Sequence, residues 1–365
     1  MTQNFKCSQI ISLEDSILLK YYRSLSIFVI VFGHTGGFWF YEPYSSFLLT
    51  VNAVFFFISG SVSIFSSTKW KTYKMFVLDR YISLLIPYYL LCLISLLVYI
   101  VNNHSIPDFN FDYLLKWLTM RPSNQIMPFP IGQIWWLQTL LLITLWAPLF
   151  FWLNNTKEKY NWLIIVFCLF LSTVQLFSNE KMNISFIGFY LYNASFYSAF
   201  FIFGLFFTTK KKYFIKPLLA LYIIVGLSGC LMLIYTFDLN ISYAIHCFPP
   251  NLYYALGSLS LIGSMLLTKK CFIQIINRYK FISIVLLFFY KHTFSIFLLH
   301  TFSIYFCENY LWFILPEEKN MLYALIKFIS VLIITCLLSI PFTAISKQLI
   351  TRIVSYMKPL VNKSL

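Results

Sequence analysis

Two side chains on the first long apolar run could do chemistry together: Arg23 and, eleven positions later, His34. Eleven residues of α-helix bring the second side chain back to within about 20° of the same face and about 16 Å further along the axis. A neutral imidazole is a competent general base near pH 7 and can also act as a nucleophile. A guanidinium binds phosphate groups through bidentate, charge-assisted hydrogen bonds. Arg80, at the start of the third apolar run, offers a second guanidinium. Ionisable groups are costly inside a bilayer, so each is a functional candidate by default. The spacing predicts a cation near one membrane surface and a base in the opposite half, opening onto a common passage. Each residue also has a plainer reading: Arg23 as an anchor snorkelling to headgroups, His34 as one end of an interhelical hydrogen bond. A base usually has an orienting partner. No Asp or Glu is expected in the middle of a span, so Asn52, Gln133 and Gln138 are the partners expected at matching depth, with Ser59 lower.

The elements that must hold these groups are membrane helices. Of 365 residues, 60% are hydrophobic and 11% charged, against about 25% charged in an ordinary soluble domain. Ten spans are expected, at 17–40, 47–67, 82–101, 133–153, 160–178, 185–208, 214–236, 251–268, 293–314 and 321–346, in a single domain over residues 1–365. The fold class is therefore an all-α polytopic membrane bundle. Lys and Arg collect in alternate loops: Lys69 to Arg80, Lys157 and Lys159, Lys210 to Lys216, Lys269 to Lys291, and the tail from Lys347. Acidic residues such as Glu42, Asp108, Glu180 and Asp238 occupy the loops between. That alternation follows the positive-inside rule and predicts both termini in the cytoplasm. It also explains the net charge of +15 without nucleic acid, which would call for a basic patch on a folded surface.

Two stretches do not read as simple spans. Residues 102–132, with prolines at 107, 122, 128 and 130, form a long outer loop expected to fold over the outer mouth. Phe281–Tyr290 is a short apolar run between basic residues, expected as an interfacial or re-entrant segment before the ninth span. The eight cysteines show no metal spacing, and those inside apolar runs (Cys92, Cys168, Cys230, Cys336) behave as small hydrophobes. No cleaved signal peptide is expected.

The Arg–His spacing on the first span, together with four later motifs, resembles the acyltransferase-3 family of integral-membrane O-acylases. Val51–Gly60 is similar to that family's FFxxSG second span. Arg80 followed by Ile86-Pro87-Tyr88 resembles its basic start to the third span. Gln133–Leu137, containing Trp135 and Trp136, resembles its WFL span, and Ser295–His300 its late iYLlH helix. The matches run in family order over nearly the whole chain. The sequence departs from the pattern at Ser83, where many members carry a second arginine, and at Phe297 in place of the late tyrosine; no esterase-like extracytoplasmic domain is expected, which resembles the stand-alone subgroup.

The resemblance implies transfer of an acetyl or other short acyl group from acyl-CoA to a sugar hydroxyl of a bacterial cell-surface polysaccharide, in the inner membrane. Acetyl-CoA is then the co-substrate, with no metal, and the acceptor is a glycan or lipid-linked sugar among membrane lipids. His34 and Asn52 would be catalytic, and Arg23 and Arg80 would hold the acyl-CoA. Trp135, Trp136, Gln138 and His300 would contact the acceptor, although tryptophans at this depth also form interfacial belts and a packing hydrogen bond accounts for His300 equally well. A glycan exporter or flippase without catalysis accounts for the spans equally well, but not for an Arg–His pair on one face at opposite depths. A polymerase would call for large, arginine-rich outer loops, and the one long outer loop holds only Arg121.

Overall fold

The computed structural model describes residues 12–37, 42–67, 73–107, 111–120, 133–178, 185–186, 189–315 and 320–363. The first helix, α1 (Leu13–Phe32), begins at Ser12, whose hydroxyl accepts the Asp15 N–H at 3.1 Å, with Glu14 and Asp15 in the first turn against the helix dipole. A wide π-type turn, Gly33–Gly37, comes next, in which Gly36 has φ 98°, a conformation glycine adopts without strain. A 3₁₀ turn, Tyr44–Thr50, leads into α2 (Val51–Ser67). Then come α3 (Tyr73–Asn103), the short α4 (Phe111–Leu118), α5 (Ile134–Thr156) and α6 (Glu158–Phe177). A two-residue antiparallel pair, Ser185–Phe186 with Phe189–Tyr190, precedes α7 (Leu191–Thr209). The remainder is α8 (Lys216–Phe237), the single turn α9 (Tyr243–His246), α10 (Leu252–Leu267), α11 (Lys269–Arg278), α12 (Lys280–Tyr310) and α13 (Met321–Lys363).

Among the described residues, nine helices are long and apolar enough to cross a membrane, or ten if α10 and α11, bent by 58° at their junction, count as one more. One ion-pair cluster favours ten. Asp15, 3% exposed, binds Lys211 at 2.7 Å and Lys269 at 3.0 Å. Lys211 precedes α8 and Lys269 follows α10, so the chain leaves this basic face along α8 and returns along α10. The bundle is all-α and polytopic, and the outward sides of α3, α6, α8 and α13 present Leu93, Leu97, Phe167, Phe170, Met232 and Leu337 as lipid-exposed surface.

At the centre, α7 is buried along nearly its whole length against α2. Their backbones touch: a Cβ on Gly60 would lie 1.9 Å from the Phe201 carbonyl oxygen, and one on Gly204 1.8 Å from that of Phe57. Ser61 Oγ bridges the crossing, within 2.9 Å of the Phe57 oxygen and 3.0 Å of the Gly204 oxygen. Such small-residue contacts hold helices in lipid, where burial alone gives no driving force. They fix α2, which carries Asn52 at its start and Ser59 at its midpoint.

Some expectations are corrected. Phe281–Tyr290 is not a separate interfacial segment: it is the first third of α12, continuous to Tyr310. Lys291 is exposed, and the buried His292 places Nδ1 2.8 Å from Thr343 Oγ1 on α13, so the polar pair is absorbed without breaking the helix. The helix that bends, by 58° from α10, is α11 instead, amphipathic and carrying Lys269 and Lys270 at its start and Arg278 at its end. Residues 185–190 lie before α7 rather than within it, and α3 and α13 run beyond their expected spans. Of the long outer loop, residues 108–110 and 121–132 lie outside the described residues. The Trp117 and Thr119 carbonyls of its described part accept from Tyr88 at 2.9 Å and Gln138 at 3.0 Å.

Candidate active site

Two cavities occupy the bundle, one above the other. The inner one, of about 190 Å³, is lined by Arg23 from α1, Ser59 from α2, Arg80 and Ser83 from α3, and apolar side chains including Phe55 and Leu140. The guanidinium of Arg23 lies 6.0 Å from the centre of the Tyr290 ring, and that of Arg80 5.8 Å from Phe76. Arg23 therefore points into the protein, not at headgroups. Two guanidiniums sharing one enclosure suit an anionic ligand, phosphate above all.

The outer cavity, of about 620 Å³, is lined by His34, Asn52, Gln133, Trp135, Thr301, Glu308 and Lys327, with Ile30, Leu49, Phe248, Phe297 and Ile304 between them. Gln133 Nε2 donates to Thr301 Oγ1 at 2.7 Å, while its Oε1 is buried without a partner. Trp135 stands edge-on to Phe248, with ring centres 4.7 Å apart. Lys327 on α13 pairs with Glu308 on α12 at 2.5 Å. The groove expected to join Arg23 and His34 is thus two cavities, and Trp136 lines both.

His34 stands on the π-type turn at the outer end of α1 and is exposed to its cavity. Such turns widen a helix and recur at functional sites. Its Nδ1 lies 3.0 Å from Nε2 of His300, a fully buried residue of α12. His300 Nδ1 lies 2.7 Å from the Phe297 carbonyl oxygen and 3.3 Å from that of Ile296. A carbonyl only accepts, so Nδ1 of His300 carries the proton and Nε2 of the neutral ring accepts. His34 must then donate from Nδ1, which leaves its Nε2 with a free lone pair. Two backbone carbonyls thereby set the tautomer of a base two rings away, the task a buried carboxylate performs in other sites.

His34 and Asn52 share the outer cavity, as do Trp135 and Trp136, and Arg23 and Arg80 share the inner one. Gln138 is not brought to either. It is fully buried, donates to the Thr119 carbonyl and accepts the Tyr190 N–H at 3.2 Å, so it ties α5 to its neighbours and lines neither cavity. His300 also lines neither cavity: it meets His34, in the place expected for Asn52, Gln133 or Gln138. Glu308 and Lys327 were missed as cavity residues, although a lysine inside the last apolar run was a signal in plain view. Among the described residues no group of three His, Cys, Asp or Glu is placed to hold a metal ion.

A family model described as an acyltransferase domain matches residues 18–340 of the 365. No curated protein and no solved structure matches the chain.

Proposed function

This chain belongs to the acyltransferase-3 family, and on that premise we propose that it moves an acetyl or other short acyl group from acyl-CoA to a sugar hydroxyl of a bacterial cell-surface polysaccharide. Membership makes it a multi-pass membrane acyltransferase. The donor, its acyl group, the sugar and the bacterial inner membrane are the proposal's own. The observation that carries it is the His34–His300 pair, in which a ring lining the larger cavity is hydrogen-bonded through Nδ1, so that Nε2 is the nitrogen left to act as base.

In this reading the CoA phosphates bind Arg23 and Arg80 at the cytoplasmic end, and the pantetheine arm carries the thioester towards His34. The sugar hydroxyl enters the outer cavity. His34 Nε2 takes its proton as the oxygen attacks the thioester carbonyl carbon. The imidazolium that forms keeps its Nδ1–H on His300 Nε2. The Asn52 amide can donate to the tetrahedral oxyanion. Collapse breaks the C–S bond, and His34 returns the proton to the CoA thiolate. The products are an O-acyl sugar and CoA.

The test compares O-acetyl content of the surface polysaccharide in the wild type, a deletion strain and His34→Ala. His34→Ala is expected to match the deletion, with polysaccharide length and export unchanged and the difference between strains erased by alkali, which cleaves O-esters. Polysaccharide missing from the surface but still acylated inside the cell would overturn the proposal in favour of export.

A further inference from the structure

The two cavities leave a problem that the proposed function does not solve. The cationic end and the base lie in different enclosures, and a thioester held by the first must react beside the second. Trp136 lines both. It is 7% exposed and wedged into an aromatic wall, with ring centres 5.4 Å from Phe55, 5.6 Å from Phe56 and 4.9 Å from Phe297. Phe55 lines the inner cavity and Phe297 the outer one, so the wall is a layer of rings with Trp136 in its middle. Its indole Nε1 is buried and has no hydrogen-bond partner. A buried N–H left unpaired carries a desolvation penalty with nothing to offset it, which an acceptor brought by a ligand would relieve.

Resting on the proposed function, we infer that Trp136 is the acyl-selecting element of the donor site: its indole fills the partition so that only a short acyl group passes, and its Nε1–H donates to the thioester carbonyl lodged there. The carbonyl oxygen supplies the acceptor that the indole lacks. The acyl chain beyond that carbon must enter the outer cavity past the indole face, where each added methylene meets rings packed on both sides. Selectivity for a short acyl group then comes from a filled space, which discriminates by size, and not from contacts to the chain itself. Phe297 links the wall to the base, since its ring packs on Trp136 and its carbonyl holds the proton of His300.

Binding to the purified full-length protein tests this without an acceptor. CoA, acetyl-CoA and hexanoyl-CoA are titrated calorimetrically into the wild type, Trp136→Ala, Trp136→Phe and Arg23→Ala. The wild type should bind acetyl-CoA at least about tenfold more tightly than hexanoyl-CoA. Trp136→Ala should bring that ratio to within about threefold while CoA itself binds as before, which also reports that the variant is folded. Trp136→Phe should keep the size discrimination and lose the advantage of acetyl-CoA over CoA, about five- to tenfold for one hydrogen bond. Arg23→Ala should weaken all three ligands alike. A wild-type acetyl-to-hexanoyl ratio retained in Trp136→Ala, or an unchanged acetyl-CoA advantage in Trp136→Phe, overturns the inference and leaves the proposed function standing. Failure of the wild type to bind CoA at all overturns the donor reading itself, and this inference with it.

Discussion

The inner and outer cavities are built from opposite materials. The inner one is small and walled by aromatic and aliphatic side chains, with two arginines as its charged lining. The outer one is about three times larger, and its charges are one lysine and one glutamate bound to each other. An enclosure whose charged lining is all positive selects an anion and holds it in place. A wide space lined by imidazole, amides, a hydroxyl and tryptophan faces suits a neutral, polyhydroxylated molecule. The contrast teaches that, under the proposed function, the two reactants would be recognised by different physics: charge on one side of Trp136, shape and neutral hydrogen bonds on the other.

The comparison can be broken most severely at the base. His34→Ala should lower kcat by about 10³-fold with the KM for acyl-CoA nearly unchanged, because the loss falls on the outer cavity alone. A comparable rise in the KM for acyl-CoA would show that the two cavities are not functionally separate. The next effect is at the partner: His300→Ala should cost about 10²-fold in kcat, since His34 survives but loses its fixed tautomer. A pH–rate profile distinguishes that from collapse of the helix pair, because a freed His34 shifts the profile and an unfolded site abolishes it.

The inner cavity should answer in the opposite currency. Arg80→Ala should raise the KM for acyl-CoA about tenfold or more and leave kcat within a few-fold, with Arg80→Lys restoring only part, because an ammonium cannot make a bidentate contact. The smallest effect on turnover is expected at the outer ion pair. Glu308 is 43% exposed in its side chain but Lys327 is buried, so Glu308→Gln should lower thermal stability by about 1–3 kcal/mol, between an exposed pair and a fully buried one. It leaves Lys327 as the cavity's uncompensated charge, and competition between neutral and carboxylated sugars should shift towards the latter.

Much of this was legible in the sequence. The apolar runs and the alternation of lysines fix helices that cross a membrane, since charge density and length constrain little else in lipid. Helical periodicity alone put Arg23 and His34 on one face of the first span, although His34 stands on the wider turn that follows α1. That they open into two enclosures was not legible, because the division is made by Trp136, Phe55 and Phe297, which come from three different helices. The His34–His300 bond joins residues 266 positions apart, and it depends on how α12 docks on α1. Reading Phe281–Tyr290 as interfacial failed for a similar reason: local charge suggested a break, whereas His292 finds Thr343 on a neighbouring helix. Gln138 misled because an amide at the right depth looks the same in sequence whether it faces a cavity or two backbone groups.

The docking of α1 on α12 has one more consequence. The two helices run side by side in the same direction, and Tyr21 meets Ser283 and Ser24 meets the Leu286 carbonyl at a constant separation of 262 positions, before His34 meets His300. The lower contacts act as a vernier that sets which ring arrives opposite which. One extra residue between Leu286 and His300 would swing the second imidazole by about 100° and lift it about 1.5 Å. Hydropathy, charge pattern and number of crossings would all be unaltered, and the protein would insert normally yet fall silent.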